Sequence, residues 1–176
     1  MSIQVESTKL HGVYKITPET HEDYRGIYRK IYDKAYYNEL LPDGMEFVEA
    51  DISVSTQNTI RGIHGDFKTW KLVSCLYGRF FLVVVNWMED SHEYKKWTSF
   101  TLSDRIGEQI LIPAGYGNAH MVLSDVAIFH YAQSCAYRGA KHQFTIPYDH
   151  PDLNIFWPLS NPITTQRDRS YFAYGD

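Results

Sequence analysis

The sequence predicts an all-β domain of barrel or sandwich type, on three observations. Aromatic residues are abundant, with 14 Tyr, 9 Phe and 4 Trp in 176 residues, and such side chains suit the pleated, half-buried surface of a strand. Turn signals recur at short intervals, at Pro18, Pro42-Asp43-Gly44, Gly65-Asp66, Tyr77-Gly78, Asp90-Ser91, Gly115-Tyr116-Gly117 and Arg138-Gly139, which leaves room for short strands. The segments between them alternate, or run apolar over strand lengths, instead of following a helical period. A few short helices at most are expected, the clearest around Ala35 to Leu41 and stopped by Pro42.

In chain order, the first strand with a clear pattern is Glu46 to Ser55. Val48, Ala50, Ile52 and Val54 form an apolar lane, while Glu49, Asp51, Ser53 and Ser55 form a polar one. The default reading packs the apolar lane and leaves the polar lane in solvent, as in a half-buried antiparallel sheet. A ligand-facing wall is the alternative, and the next strands favour it. Lys71 shares its face with Val73 and Cys75 in the run Lys71 to Tyr77, apolar company that makes an ammonium group costly unless it has a partner or a task. The run from Phe80 to Trp87 is continuously apolar, as a strand covered on both faces should be. Val126 to Tyr137 places Phe129, Tyr131, Gln133, Cys135 and Tyr137 on one side. Isolated polar groups on otherwise closed faces are what a small barrel with a ligand cavity requires.

Size and charge narrow the function. A chain of 176 residues is a single-domain length, read here as one domain over 1–176, and it buries roughly 70% of its unfolded surface. The net charge of -4 and pI near 6.0 give no broad basic field, so a nucleic-acid partner lacks electrostatic support. The start, MSIQVESTKL, has neither the basic residues nor the apolar run of a signal peptide, and no stretch reaches membrane-spanning length. A cytoplasmic location without membrane contact is therefore expected. Cys75 and Cys135 lie far apart among apolar or aromatic neighbours and are expected as free thiols.

Two clusters carry chemistry. Arg61-Gly62-Ile63-His64-Gly65-Asp66 follows the polar lane and precedes Lys71, so that three potential cations stand close together in sequence. Such a group is comfortable only beside a carboxylate or an anionic ligand. The second cluster, Ile112-Pro113-Ala114-Gly115-Tyr116-Gly117-Asn118-Ala119-His120, is a strand end, a tight turn and a return strand, with Asn118 and His120 on one face. His64, Asp66 and His120 could also make a poor metal site, but a pair of histidines two residues apart on one strand is missing, since His64 has Asp66 at that spacing, and no metal is expected.

These clusters, together with Asp23-Tyr24-Arg25-Gly26, the lane Phe47 to Ser55, Lys71-Leu72-Val73, Tyr77-Gly78, Tyr131 and the closing Leu153-Asn154-Ile155-Phe156-Trp157-Pro158, occur in an order that resembles the dTDP-4-dehydrorhamnose 3,5-epimerase family of the cupin superfamily. The resemblance covers nearly the whole chain and implies a cupin, or jelly-roll, β-barrel. It implies that His64 is the general base, Tyr131 the acid on the opposite face of the sugar, and Lys71 a cation beside the keto oxygen. Arg25 and Arg61 are implied near a nucleotide diphosphate, and Glu49, Asp51, Asn118, His120 and Gln143 as further substrate contacts. Family members are homodimers that share their active sites, so Arg25 is expected to act in trans. The chemistry is coherent: a ketone at C4 acidifies the hydrogens at C3 and C5, a near-neutral imidazole can remove one, and an ammonium can stabilise the enolate. No cofactor is implied, since the ketone is the electron sink.

The sequence departs from the family in several places. His64-Gly65-Asp66 stands for His-Tyr-Gln, Glu49 and Asp51 stand in a lane that usually carries amides, and Asn118 stands where the family has histidine. Counting back from Trp157-Pro158 puts His150 where the acid that orients the base is expected. Either Asp149 takes that role after a small shift, or the dyad is incomplete. These departures, with Leu41-Pro42-Asp43-Gly44, resemble epimerases that act on GDP-linked 4-keto heptoses for bacterial capsular polysaccharide, which implies GDP and a heptose. A sugar-nucleotide 3,4-ketoisomerase, a metal-dependent cupin and a non-catalytic sugar-binding cupin are the competing readings.

Overall fold

A computed structural model describes residues 3–171. Thirteen strands are assigned among the described residues: β1 (Gln4–Ser7), β2 (Tyr14–Thr17), β3 (Thr20–Asp23), β4 (Gly26–Arg29), β5 (Glu49–Thr56), β6 (Ile60–Gly65), β7 (Lys71–Tyr77), β8 (Arg79–Asn86), β9 (Trp97–Ser103), β10 (Gln109–Ile112), β11 (Tyr116–Val122), β12 (Val126–Gln133) and β13 (Phe144–Thr145). They form a six-stranded sheet in the order β1-β2-β10-β7-β12-β5, a five-stranded sheet in the order β13-β6-β11-β8-β9, and a separate hairpin, β3-β4. Every strand pairing is antiparallel, and the two sheets pack as a jelly-roll barrel, the expected class. The short helix α1 (Lys34–Tyr37) runs into a 3-10 turn at Asn38–Leu40, ahead of Pro42. Asp33 caps α1 by accepting the Ala35 N–H.

Three apolar clusters explain the layering. Between the sheets, Val73, Cys75, Ile110 and Ile112 meet Phe80, Leu82, Val84 and Leu102. On the far side of the five-stranded sheet, Ile63, Val83, Val85 and Ala119 are covered by the C-terminal segment through Phe144, Ile146 and Leu153. The continuous run of β8 thus serves two cores, alternate residues going to each. On the outside of the six-stranded sheet, Ile16, Leu72, Leu111 and Ala132 lie under Tyr37 and Leu41.

Strand β5 corrects the default reading of its pattern. Its apolar lane faces outward, with Val48, Ile52 and Val54 at 57%, 58% and 57% exposure, while Ser55 is buried. The reason is position: β5 is the edge strand beside β12, where the space between the sheets opens into a cavity that polar side chains must line. The thiols are free, as expected, with Cys75 buried and Cys135 only half-buried. Cys135 and Tyr137 lie beyond the end of β12. Among the described residues, no helix is long and apolar enough to cross a membrane.

Candidate active site

At the open end of the barrel a cavity of about 380 Å³ lies between the sheets, lined by Ser53, Arg61, His64, Lys71, Asn118, His120, Phe129, Tyr131, Tyr137, Gln143, Thr165, Arg167 and Asp168. Strands β6 and β11 of one sheet supply Arg61, His64, Asn118 and His120; strands β7 and β12 of the other supply Lys71, Phe129 and Tyr131. His64 and Tyr131 therefore stand on opposite walls. Register fixes this arrangement: His64 pairs across to Asn118, and Lys71 to Gln133. Glycine makes the β6–β11 contact possible. Gly62 has φ +116° and a Cβ there would lie 2.4 Å from the Asn118 carbonyl oxygen, while a Cβ on Gly65 would lie 2.4 Å from the Phe144 ring.

The carboxylate beside His64 is Asp168, whose Oδ1 lies 3.1 Å from His64 Nε2. This corrects the expectation for Asp149, which is exposed on the loop before Pro151, while His150 packs its ring against Trp87. The C-terminal segment returns along β6 through a parallel bridge between Thr59 and Ile163, and a 3-10 turn over Arg167–Arg169 then buries Asp168 at the site. Asp168 Oδ1 also accepts the Gly62 N–H at 3.1 Å, and Oδ2 accepts the Thr165 N–H and hydroxyl at 3.0 and 2.7 Å. Burial alone would raise the Asp168 carboxyl, but the neighbouring His64 imidazole and these bonds outweigh it and hold it well below the usual carboxylate range. Thr165-x-x-Asp168 has the spacing of a capping box, and that was the signal in the sequence that could have pointed here.

Electrostatics separate the remaining groups. Burial lowers His64 below the ordinary imidazole value, with Arg167 and Lys71 acting the same way and Asp168 opposing. Neutral imidazole is therefore the resting form at pH 7, able to accept a proton. Lys71 is buried and donates from Nζ to Asn118 Oδ1 at 3.2 Å; burial lowers it to about 8, so it remains mostly an ammonium. His120 is 3% exposed and stacked on Phe129 with centroids 4.1 Å apart, and burial lowers it to about 3, keeping it neutral. Arg61 donates from Nε to Ser55 Oγ at 2.9 Å, and Arg167 from Nη2 to Gln143 Oε1 at 2.9 Å. Two guanidinium groups thus flank the cavity. Asp66 is used locally, its Oδ1 accepting the Lys68 and Thr69 N–H groups at 2.8 and 2.7 Å.

The structure brings His64, Lys71, Tyr131, Arg61, Asn118, His120 and Gln143 to one cavity. Glu49 and Asp51 stand at its edge, tied to Gln133, whose Nε2 donates to both. Arg25 is not brought in. It sits at the tip of the exposed β3-β4 hairpin and pairs with Asp23 at 2.6 Å. Arg167, Thr165 and Asp168 are not picked out by the sequence reading, and Tyr137, 51% exposed, also lines the cavity.

Residues 7–175 match the family model described as dTDP-4-dehydrorhamnose 3,5-epimerase. The chain belongs to that family. The dTDP-4-dehydrorhamnose 3,5-epimerase of Methanothermobacter thermautotrophicus is 32% identical, over 93% of this chain and 90% of that protein. The dTDP-4-dehydrorhamnose 3-epimerase of Streptomyces niveus is 31% identical, over 91% of this chain and 78% of its own length. Among solved structures, the epimerase of Legionella pneumophila, in complex with dTDP-4-keto-L-rhamnose, superposes with a TM-score of 0.89 at 30% identity, over 95% of this chain and 90% of that one. The chain is thus an isomerase, a sugar-nucleotide epimerase of cupin fold, acting on nucleotide-linked 4-keto sugars.

Proposed function

We propose that this epimerase inverts C3, or C3 and C5, of a GDP-linked 4-keto heptose, with His64 as base and Tyr131 as acid, in the making of a capsular or other surface polysaccharide. The observation that carries the catalytic part is the His64–Asp168 pair, 3.1 Å apart in a cavity that also holds a buried lysine. A neutral His64 takes the proton next to the ketone, leaving Nδ1 as the nitrogen that meets the sugar, since Nε2 faces Asp168. The C–H electron pair moves into the carbonyl, and the developing enolate oxygen is stabilised by the Lys71 ammonium, whose partner Asn118 is neutral and leaves its charge uncancelled. Asp168 stabilises the imidazolium that forms. Tyr131, on the opposite wall, then delivers its hydroxyl proton to the other face of the carbon, and the centre is inverted. Arg61 and Arg167 hold the diphosphate, with Gln143 aligning Arg167.

The choice of nucleotide and sugar rests on the departures from the family pattern. Glu49 accepts the Tyr137 N–H at 3.0 Å, which puts a carboxylate beside an exposed aromatic ring on which a base can stack. A purine edge with adjacent N–H donors suits a carboxylate there better than a base offering one. The named relatives are described with dTDP sugars, so the test is a direct competition. A GDP-4-keto-heptose and a dTDP-4-keto-6-deoxyhexose are offered to the enzyme, and kcat/KM for solvent deuterium incorporation is compared. A higher value for the GDP-heptose is expected; a clear preference for the dTDP sugar would replace that substrate while leaving the epimerase intact.

A second copy of this chain completes the same reading. The outward lane of β5, Val48, Ile52 and Val54, continues to Leu76 at 39% exposure, an apolar face on an edge strand that a partner would cover. Arg25, on its projecting hairpin, would then reach the partner's cavity.

A further inference from the structure

Asp51 was expected to contact substrate, but its surroundings give it another task. It lies directly opposite Tyr131 in the β5–β12 register, so the two side chains project from the same face of the sheet and the carboxylate charge stands beside the phenol. Gln133, 2% exposed, holds the carboxylate in place, with Nε2 at 3.4 Å from Asp51 Oδ2 while also bonded to Glu49. The Tyr131 ring packs on Phe129 with centroids 5.6 Å apart. The titratable groups around the phenol are Asp51 and Glu49 from β5, Tyr137 from the loop after β12, Lys71 from β7, and Arg61, His64, His120, Arg167 and Asp168 across the cavity. Burial and the Asp51 charge, with smaller contributions from Tyr137 and Glu49, push Tyr131 up to about 12.

The consequence concerns the fate of the enolate. Once His64 has taken the proton, the carbon can be reprotonated from His64, which restores the original configuration, or from Tyr131, which inverts it. In the second case the O–H bond breaks, a C–H bond forms on the opposite face, and a phenolate remains until solvent reprotonates it. A carboxylate that stands beside the nascent phenolate opposes this transfer by charge repulsion, and a weaker acid donates more slowly. We propose that Asp51 is a specificity-determining residue acting through Tyr131: by placing its charge beside the Tyr131 hydroxyl, it sets how often the enolate is inverted and how often it is returned unchanged. This rests on the roles given above to His64 and Tyr131.

The test is NMR of the 4-keto sugar nucleotide turned over in D2O, scoring deuterium at C3 and C5 with retained and with inverted configuration. Asp51→Asn, which keeps the size and an acceptor but removes the charge, is expected to raise the inverted-to-retained ratio about three- to tenfold, the range for a donor strengthened by roughly one pKa unit. It should also move the alkaline limb of the inversion rate to lower pH, because losing the carboxylate eases ionisation of Tyr131. Asp51→Glu keeps a carboxylate and should leave the ratio near that of the wild type. An unchanged or lowered ratio in Asp51→Asn, with an unmoved alkaline limb, overturns the proposal and returns Asp51 to substrate contact. A Tyr131→Phe variant that still inverts would instead remove Tyr131 as acid, a failure of the parent reading that this experiment separates from its own.

Discussion

His64 is under opposed influences, burial and neighbouring cations lowering it, Asp168 raising it. Replacing Asp168 by Asn removes the carboxylate that favours the imidazolium, so the acid limb of kcat/KM should shift to lower pH while the rate falls by about 10²-fold, the scale of a general base that loses its support. A pH–rate profile of Asp168→Asn checks both; a slower enzyme with an unmoved acid limb would make Asp168 a scaffold only. His120 gives a stability prediction. Its pKa in the folded protein is about 3, against roughly 6.5 when unfolded. The unfolded chain therefore binds a proton that the folded one refuses, and stability is lost as pH falls below the unfolded value. At pH 5 the deficit is ~2 kcal/mol. Urea unfolding at pH 7 and pH 5 should show that loss, and His120→Phe, which extends the packing of Phe80 and Phe129, should shrink it by about that amount. Lys71 was legible because a lysine on an apolar face breaks the local pattern, whereas His64 and Tyr131 were reached through the resemblance to the family. Asp168 breaks no such pattern: an aspartate in a polar C-terminal stretch is ordinary, and only its Thr165-x-x-Asp168 spacing hints at more.

At the scale of elements, the site depends on how closely β6 and β11 approach. A methyl group at Gly65 would meet both the Tyr116 carbonyl and the Phe144 ring at 2.4 Å, so Gly65→Ala should cost about 1–3 kcal/mol by overpacking. That corresponds to roughly 2–12 °C in Tm for a chain of this length, and thermal unfolding measures it. The strand pattern was readable in sequence, and β7 spans the residues expected for it. The sidedness of β5 was not readable from β5 alone, because alternation gives two lanes but does not say which faces the core; only the polar groups on the neighbouring strands favoured the inward polar lane that the structure shows. An edge strand beside a cavity inverts the usual answer. Asp149 failed for a related reason: counting along the chain from Trp157-Pro158 presumes a constant path, whereas the carboxylate arrives from the far end of the chain, carried in by the bridge between Thr59 and Ile163.

For the whole molecule, one cavity between two sheets gathers residues from β6, β7, β11, β12 and the C-terminal turn, which is why fold and function were legible together through a series of short motifs. What a single chain leaves unused, the exposed lane of β5 and the hairpin bearing Arg25, belongs to the proposed assembly. Ile52→Asp should convert a dimer into a monomer by sedimentation, and Arg25→Ala should raise KM without altering the monomer fold. The claim on which everything else depends is that His64 removes the proton next to the ketone. The most direct measurement is NMR of the GDP-4-keto-heptose in D2O, with the dTDP-4-keto-hexose alongside, using wild-type enzyme and His64→Asn. Deuterium at C3, or at C3 and C5, with the wild type and at least about 10²-fold slower incorporation with His64→Asn is the predicted result. Incorporation at an undiminished rate in His64→Asn would contradict it.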